Sequence, residues 1–141
     1  MTLLYNKYMN ISYKSNCNIC YSCKYHIIWC TKYKKNILAN SQIASRLRQI
    51  LQDFVATTTN EIIELEIMED HVHILLECDP QYGIHHLVKR LKGISSHLLR
   101  KEFSEARTRV PTLWTNSYFC STTGGATLET IKQYIQNQKR T

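Results

Sequence analysis

Residues 61–78, EIIELEIMEDHVHILLEC, decide the fold, because they contain two strand patterns separated by a short polar connection. The first pattern alternates apolar residues with glutamates, as Ile63, Leu65 and Ile67 against Glu64 and Glu66. Such alternation is typical of a strand with one buried and one exposed face. After Glu69 and Asp70, the apolar run from His71 to Cys78 is a second strand. We therefore predict an antiparallel hairpin.

An amphipathic helix is predicted on each side of this hairpin. Asn40 or Ser41 caps the first helix, and the second runs from Ile84 to Phe103. The apolar stripe of the first helix is Ile43, Leu47, Ile50, Leu51 and Phe54, and that of the second is Ile84, Leu87, Val88, Leu91, Ile94 and Leu98. These spacings place the apolar side chains of each helix on one face, which is expected to pack on the sheet.

Two further strands and a last helix complete the predicted order. Tyr25–Cys30 is rich in β-branched and aromatic residues, and Leu113–Ser121 is a second such stretch. Gly124 and Gly125 end the latter strand, and a helix starts at about Thr127. The order β-α-β-β-α-β-α predicts an α+β fold, a ferredoxin-like split β-α-β sandwich with helices on one face of an antiparallel sheet and an added C-terminal helix.

The chain of 141 residues is long enough for one domain with its own core. We assign residues 21–141 to that domain and residues 1–20 to a partly ordered N-terminal extension. No stretch approaches the roughly 20 apolar residues of a membrane span. A secretion signal is not recognisable either, so a cytoplasmic protein with no membrane partner is expected.

The basic excess lies in the first part of the chain. The whole chain has 18 Lys and Arg against 11 Asp and Glu. Residues 1–60 contain eight basic residues and one acidic residue, whereas residues 61–141 contain ten of each. This asymmetry favours a polyanion such as nucleic acid as partner, although an ordinary basic protein would have the same composition.

Six cysteines without a secretion signal indicate free thiols. Cys17, Cys20 and Cys23 have thiolate-ligand spacing, but no second Cys pair or His at suitable spacing completes a four-coordinate zinc site. A structural zinc site is therefore not favoured. The other cysteines lie in apolar runs and are predicted to be small core residues: Cys30, Cys78 and Cys120.

Two pairs of polar residues stand out as candidates for chemistry. His71 and His73 point to one face of their strand, where they either share a metal ion or are simply packed side chains. Tyr134 and Gln138 lie one helical turn apart, so a phenol and an amide project together. Tyr134 is at the rim of the apolar stripe, and a tyrosine that bridges core and water would lie there too.

A basic stripe follows one side of the second helix, formed by Lys89, Lys92, Ser96 and Arg100. At 100° per residue this stripe lies opposite the apolar one. It either contacts phosphates or is an ordinary solvated helix face.

Together these motifs resemble the single-tyrosine HUH transposases of small bacterial and archaeal insertion sequences. The resemblance extends from about Tyr25 to Gln138 and rests on four motifs in the family's order. The motifs are Asp70 to His73, VKRLKGISS at 88–96, LWTNSYFCSTTGG at 113–125, and Tyr134-x-x-x-Gln138.

The resemblance implies an enzyme that cleaves and rejoins single-stranded DNA with hairpin ends. Tyr134 would be the nucleophile that forms a 5′-phosphotyrosine, and His71, His73 and Gln138 would bind a divalent metal, Mg²⁺ or Mn²⁺. It also implies a homodimer in which each active site joins the His pair of one subunit to the tyrosine helix of the other. The sequence has no phosphate-binding G-x-x-x-x-G-K-[ST] loop, and no nucleotide cofactor is expected.

The natural phosphate contacts under this resemblance are basic residues of two regions: Lys32, Lys34 and Lys35 after the first strand, and Lys89, Lys92 and Arg100 on the second helix. Tyr33 or Trp114 would stack on unpaired bases.

Two other function classes remain open from the sequence. Another HUH nuclease, such as a relaxase, a replication initiator or a domesticated repeat-cleaving relative, would use the same nucleophile and metal. A noncatalytic nucleic-acid-binding module on the same scaffold is the other class. Its common signature, a basic residue followed by Gly-aromatic-Gly-aromatic, is absent from the chain.

Overall fold

The computed structural model describes residues 13–122 and 128–138, and its centre is a four-stranded antiparallel sheet. A two-residue strand pair precedes the sheet, β1 (Lys14–Ser15) and β2 (Cys20–Tyr21). The strands of the sheet are β3 (Lys24–Cys30), β4 (Glu61–Ile67), β5 (His71–Glu77) and β6 (Phe119–Thr122).

The described helices alternate with these strands as predicted. They are α1 (Ser41–Ala56), α2 (Ile84–Glu102), the short α3 (Ser104–Thr108) and α4 (Leu128–Asn137). Two single-turn 3₁₀ helices, Lys32–Lys34 and Ile37–Ala39, connect β3 to α1. Asn40 caps α1, because its side chain accepts hydrogen bonds from the backbone amides of Gln42 and Ile43.

The strand order β4-β5-β3-β6 confirms the ferredoxin-like prediction. The hairpin partner β5 lies between β4 and β3, so the β3-α1-β4 unit is split by an antiparallel strand. The last strand, β6, pairs antiparallel with the other side of β3. β3 and β5 are therefore the two central strands. The predicted C-terminal helix, α4, comes after β6 in the chain.

The hydrophobic core lies between α1, α2 and one face of the sheet. The sheet side chains on this face include Ile27, Trp29, Val72, Ile74 and Leu76, all without solvent exposure. The helices supply Leu47 and Leu51 from α1 and Leu87 and Leu91 from α2, also fully buried. Each buried Leu or Ile side chain stabilises the fold by about 1.5–3 kcal/mol through removal of apolar surface from water.

The pattern in β4 differs from the prediction at Ile63. The register with β5 shifts between Ile62 and Glu64, which is the mark of a β-bulge. Ile62 then packs against the core, whereas Ile63 is an exposed apolar residue. Simple alternation therefore assigned Ile63 to the wrong face, because one extra residue in a strand reverses the side-chain order before it.

The predicted strand over 113–121 is also wrong in its extent. Trp114 makes an isolated bridge with Thr31, and the regular strand begins only at Phe119. Between them, the carbonyl groups of Thr115 and Ser117 accept hydrogen bonds from the Lys92 ammonium. A side chain thus replaces part of the strand ladder. The predicted break at Gly124 and Gly125 and the helix start at Thr127 lie outside the described residues.

Residues 13–20, the described part of the predicted N-terminal extension, contact the rest of the chain. Asn16 Nδ2 donates to the Asp79 carboxylate at 3.0 Å, and the Lys14 ammonium is 2.6 Å from Glu61. The Asn16 side chain also accepts from the amides of Asn18 and Ile19, which forms the turn between β1 and β2. An Asx-type turn therefore attaches this segment to the start of the loop after β5.

The described cysteines are free thiols, as predicted. Cys30 and Cys78 are buried, and Cys78 belongs to the core, whereas Cys30 lies on the opposite face of the sheet. Cys120 is exposed on the edge strand β6 and is not the core residue that was predicted. Cys17 and Cys20 are exposed, and no three His, Cys, Asp or Glu side chains in the described part of the chain form a group that could bind a metal ion. In the same part of the chain, no helix has the length and apolar character needed to cross a membrane.

Candidate active site

The candidate site lies on the face of the sheet that α1 and α2 do not cover. Strand pairing places Ile28 opposite His73 and Cys30 opposite His71. Side chains of these pairs point away from the core, because Ile27, Trp29, Val72 and Ile74 point into it. On this face Phe119 of β6 pairs with Ile28, and its ring lies 5.5 Å from the ring of Tyr134 in α4. The tyrosine helix therefore packs on the sheet face that carries both histidines.

His71 has a carboxylate partner. Its Nδ1 atom lies 2.8 Å from Oδ1 of Asp70, whose other oxygen is 3.8 Å from the ammonium of Lys34. When Nδ1 carries the hydrogen and donates to Asp70, the lone pair is on Nε2. A carboxylate in this position orients a metal-binding imidazole and makes it a stronger ligand.

His73 contacts a third imidazole, which the sequence interpretation missed. Its Nε2 atom lies 3.1 Å from Nδ1 of His26 in β3, with the ring centroids 5.3 Å apart. Burial lowers the pKa of His73, and the charge of a protonated His26 would lower it further. His73 is therefore neutral at pH 7, the form in which imidazole binds metals. His26 alternates with Ile28 and Cys30 in the sequence, but only the strand pairing brings it to His73.

The second half of the site consists of Tyr134 and Gln138, which both form a hydrogen bond with Ser117. The Ser117 hydroxyl lies 3.2 Å from the Tyr134 hydroxyl and donates to Oε1 of Gln138 at 3.1 Å. Burial raises the pKa of Tyr134 above 10, and the hydrogen bond with Ser117 opposes that rise. Gln138 is only 7% exposed and is therefore not the surface residue that its sequence position alone would suggest.

The residues present fit a divalent metal with two imidazole ligands. His71 and His73 are on one strand face, His71 is oriented by Asp70, and His73 is neutral at pH 7. Gln138, directly after α4, offers an amide oxygen at the end of the helix that packs on the same face. Cys30, opposite His71, is a poor alternative ligand, because burial raises the pKa of its thiol to about 11. Imidazole with amide oxygen suits Mn²⁺ and is acceptable to Mg²⁺.

The two halves of the site have separate hydrogen-bond partners. The histidines contact Asp70 and His26, and the tyrosine helix contacts Ser117. Both halves lie on the same face of the sheet, where Cys30 pairs with His71 and Phe119 contacts Tyr134.

The family described as IS200-like transposase matches residues 19–138, which includes every residue of the candidate site. This chain belongs to the IS200-like transposases.

Individual relatives agree with this assignment. The ISDra2 transposase TnpA of Deinococcus radiodurans is 37% identical over 120 residues, which are 84% of this chain and 85% of the relative. The crystal structure of a candidate transposase from D. radiodurans R1 superposes with a TM-score of 0.78 at 35% identity and covers 89% of this chain and 97% of that chain. A REP-associated tyrosine transposase bound to a REP hairpin has a TM-score of 0.54 at 12% identity over 86% of this chain and 68% of that chain, and shows the fold alone.

Two of the basic residues predicted to contact DNA stabilise loops of this IS200-like transposase. The Lys92 ammonium donates to the carbonyl oxygens of Thr115 and Ser117 at 2.7 and 3.0 Å. Arg100 Nη1 donates to the carbonyl oxygens of Ala106 and Val110 at 3.1 and 3.0 Å. These contacts within the chain were missed because a basic stripe in sequence does not show which charges turn back onto the protein.

The other predicted basic contacts of the transposase differ in how accessible they are. Lys34 is mostly buried beside Asp70, and the Lys32 ammonium lies 5.1 Å from the centre of the Tyr33 ring. Lys35 and Lys89 are exposed, so both could contact a phosphate without a change in the protein structure. Their contact with DNA stays a prediction.

Two aromatic residues, Tyr33 and Trp114, were predicted to stack on bases. In this conformation Trp114 is too buried to stack on a base. Trp114 is 5% exposed, packs edge-on against Trp29 and donates its Nε1 hydrogen to Ser95. Tyr33 is 49% exposed and has left-handed backbone angles, with φ of 56°. A bulky residue in this conformation carries backbone strain, a feature that clusters at functional sites.

Proposed function

We propose that this transposase cleaves and rejoins single-stranded DNA through a covalent 5′-phosphotyrosine at Tyr134. The observation that carries the proposal is the shared contact of Tyr134 and Gln138 with Ser117, on the sheet face that presents His71 and His73. A phenol, an amide and two imidazoles on one face are the groups that such chemistry requires.

Tyr134 attacks the scissile phosphate. The bond from its phenolic oxygen to phosphorus forms as the bond from phosphorus to the 3′-oxygen breaks. The phenol gives up its proton to water, and the leaving 3′-oxygen takes one from water. Because burial raises the phenol pKa, Tyr134 is protonated at neutral pH until the substrate is in place. Attack by another 3′-OH reverses these steps and rejoins the strand without a nucleotide cofactor.

His71, His73 and Gln138 are the residues that would hold Mg²⁺ or Mn²⁺. When bound, the ion supplies positive charge that polarises a phosphate oxygen and stabilises the leaving oxygen. Asp70 orients His71 toward this task, and His26 contacts His73. The phenyl ring of Phe119 packs against Tyr134 and limits its motion on the sheet.

The proposed substrate is single-stranded DNA with hairpin ends. It is supported by the hairpin bound to the REP-associated transposase of the same fold. A groove of about 370 Å³ between α2 and residues 112–118 would accept an unpaired segment, and its wall includes Lys89, Ser96, Asn116 and Tyr118. Lys89 in this wall, together with Lys32 and Lys35, would supply positive charge for phosphate contacts, and the polar wall residues would supply hydrogen bonds.

A homodimer with shared active sites completes the proposal. The tyrosine helix of one subunit would lie on the histidine face of its partner. In such an exchange, the contacts of Tyr134 and Gln138 with Ser117 and of Tyr134 with Phe119 would form between subunits and not within one chain.

Covalent capture of DNA tests the proposal. The protein is incubated with Mn²⁺ and single strands that contain the ends of its insertion sequence and carry a label at the 3′ end, which stays on the fragment joined to Tyr134. The mixture is denatured before electrophoresis. We expect a labelled protein band that Tyr134→Phe abolishes and that the matched change Tyr82→Phe, in the loop before α2, does not. A protein that binds these strands but forms no adduct would be the noncatalytic module instead. An adduct that persists in Tyr134→Phe would assign the nucleophile to another residue.

A further inference from the structure

We propose that the hydroxyl group of Ser117, placed by Lys92, is the positioning group for the nucleophilic tyrosine and the neighbouring amide. Ser117 lies in the irregular segment before β6, and Lys92 lies in α2. The inference rests on the proposed function of Tyr134 and Gln138, and it adds two residues that act through them.

Lys92 determines where the segment before β6 runs. The backbone amide of Thr115 donates to the carbonyl oxygen of Cys30, but the carbonyl groups of Thr115 and Ser117 both accept from the Lys92 ammonium. Two charge-assisted hydrogen bonds from one side chain therefore replace strand pairing on this side. The backbone on both sides of Asn116 is thereby connected to α2.

The direction of the hydrogen bonds at Ser117 follows from the number of hydrogens. A serine hydroxyl has one hydrogen, and the amide oxygen Oε1 of Gln138 can only accept. The hydrogen of Ser117 is therefore used for Gln138. Consequently Tyr134 donates its own hydrogen to Ser117, over 3.2 Å. One hydroxyl thus sets the distance between nucleophile and metal-binding amide through a chain of two hydrogen bonds.

This chain has a consequence for the phenolate. Once Tyr134 loses its proton it can no longer donate, and it keeps Ser117 as a partner only if the serine hydrogen turns toward it. Ser117 therefore stabilises both forms of the nucleophile, and its hydrogen bond opposes the rise in phenol pKa that burial causes. Loss of the hydroxyl removes this stabilisation and leaves the Tyr134 oxygen without its serine partner.

Lys92 also connects this arrangement to the proposed DNA surface. Its side chain contributes to the wall of the groove between α2 and residues 112–118. An ammonium has three hydrogens, and two of them are used for the carbonyl groups. A phosphate in the groove would either compete for these hydrogen bonds or accept a third one from Lys92. Binding of a phosphate in the groove would therefore change the position of Ser117.

The NMR signal of Tyr134 measures its contact with Ser117 directly. In protein labelled with ¹³C at the Cζ atom of tyrosine, Tyr134→Phe identifies the Tyr134 resonance. Ser117→Ala is expected to shift this resonance at pH 7 in the absence of DNA and metal, and Ser117→Thr, which retains a hydroxyl, to restore it. Ser121→Ala removes a hydroxyl from the nearby strand β6 and is expected to leave the resonance in place. A Tyr134 resonance that is the same in Ser117→Ala and wild type overturns the inference.

Amide hydrogen exchange of residues 131–138 measures how firmly α4 is docked. Ser117→Ala and Lys92→Met are expected to raise exchange there about tenfold, the factor that corresponds to one hydrogen bond. Lys101→Met removes the same charge from an exposed position of the same helix and is expected to have no effect. Lys92→Gln, which can still donate to a carbonyl group, should give an intermediate rate. Unchanged exchange in Lys92→Met overturns the part assigned to Lys92.

Cleavage kinetics separate this inference from the proposed function. Ser117→Ala should lower the rate of adduct formation at saturating DNA about tenfold or more, with DNA affinity unchanged, because only the position of the nucleophile is affected. If wild type forms no adduct, the proposed function fails, while the NMR and exchange results still decide the positioning. If wild type forms the adduct and Ser117→Ala matches its rate, the inference fails and the proposed function stands.

Discussion

His71 Nδ1 lies 2.8 Å from the carboxylate of Asp70, the residue immediately before it in the chain. This contact uses Nδ1 and leaves Nε2 as the ring nitrogen available to a metal ion. It gives the first histidine of the proposed metal site a carboxylate partner, whereas the second, His73, has an imidazole partner, His26.

Asp70→Asn is expected to weaken Mn²⁺ binding about 10- to 100-fold, because the amide has no charge with which to strengthen His71 as a ligand. Isothermal titration calorimetry of the DNA-free protein with Mn²⁺ measures this affinity. Asp53→Asn makes the same chemical change on the exposed face of α1 and serves as the control. Equal affinity in Asp70→Asn and wild type would mean that the contact is structural.

His26→Ala should also weaken Mn²⁺ binding, but by less, because the partner that it removes from the His73 ring is an imidazole and not a carboxylate. The same titration measures the loss, and His97→Ala, on the exposed surface of α2, is the matched control. Tighter Mn²⁺ binding in His26→Ala would show that His26 competes with the metal for His73 instead of orienting it.

Gln138→Ala is expected to raise the Mn²⁺ concentration needed for cleavage and to lower the rate at saturation, since the amide is both a proposed ligand and a partner of Ser117. Gln138→Glu keeps an oxygen ligand and adds a charge that Mn²⁺ favours, so it should bind the metal more tightly. Metal titrations of adduct formation measure both. Wild-type midpoint and plateau in Gln138→Ala would remove Gln138 from the site.

Mixed dimers test whether the site is shared between subunits. When Tyr134→Phe subunits are mixed with His71→Ala subunits, one of the two composite sites retains both intact groups, so adduct formation should return. Each variant alone is expected to be inactive. If the mixed dimers are inactive although subunit exchange is verified by mass spectrometry, each site is built within one chain.

The stability contributed by Lys92 should depend on pH. Burial lowers the pKa of Lys92 from 10.5 to about 8. Between these values the unfolded chain keeps a proton that the folded protein has released, so the free energy of unfolding rises with pH. Urea unfolding of wild type and Lys92→Met is measured from pH 8 to 10.5. The free energy of unfolding of wild type should rise relative to that of Lys92→Met over this range. A difference that stays constant or falls with pH would contradict the shift.

The sequence by itself determined the order of elements and the pairing of residues that are close along the chain. Periodicity is a local property, so α1, α2 and the β4–β5 hairpin were predicted within a few residues of their observed ends. His71 with His73 and Tyr134 with Gln138 were recognised for the same reason, because strand and helix geometry relates side chains two and four positions apart.

Only the tertiary structure decided the contacts between residues far apart in sequence. His26 reaches His73 through the register of β3 and β5, and Ser117 reaches Tyr134 because α4 packs on the sheet. Lys92 belongs to a basic stripe in sequence but turns to backbone carbonyl groups that a broken strand leaves unpaired. Register, bulges and strand breaks depend on the packing of the whole core, and a local pattern of residues does not contain that information.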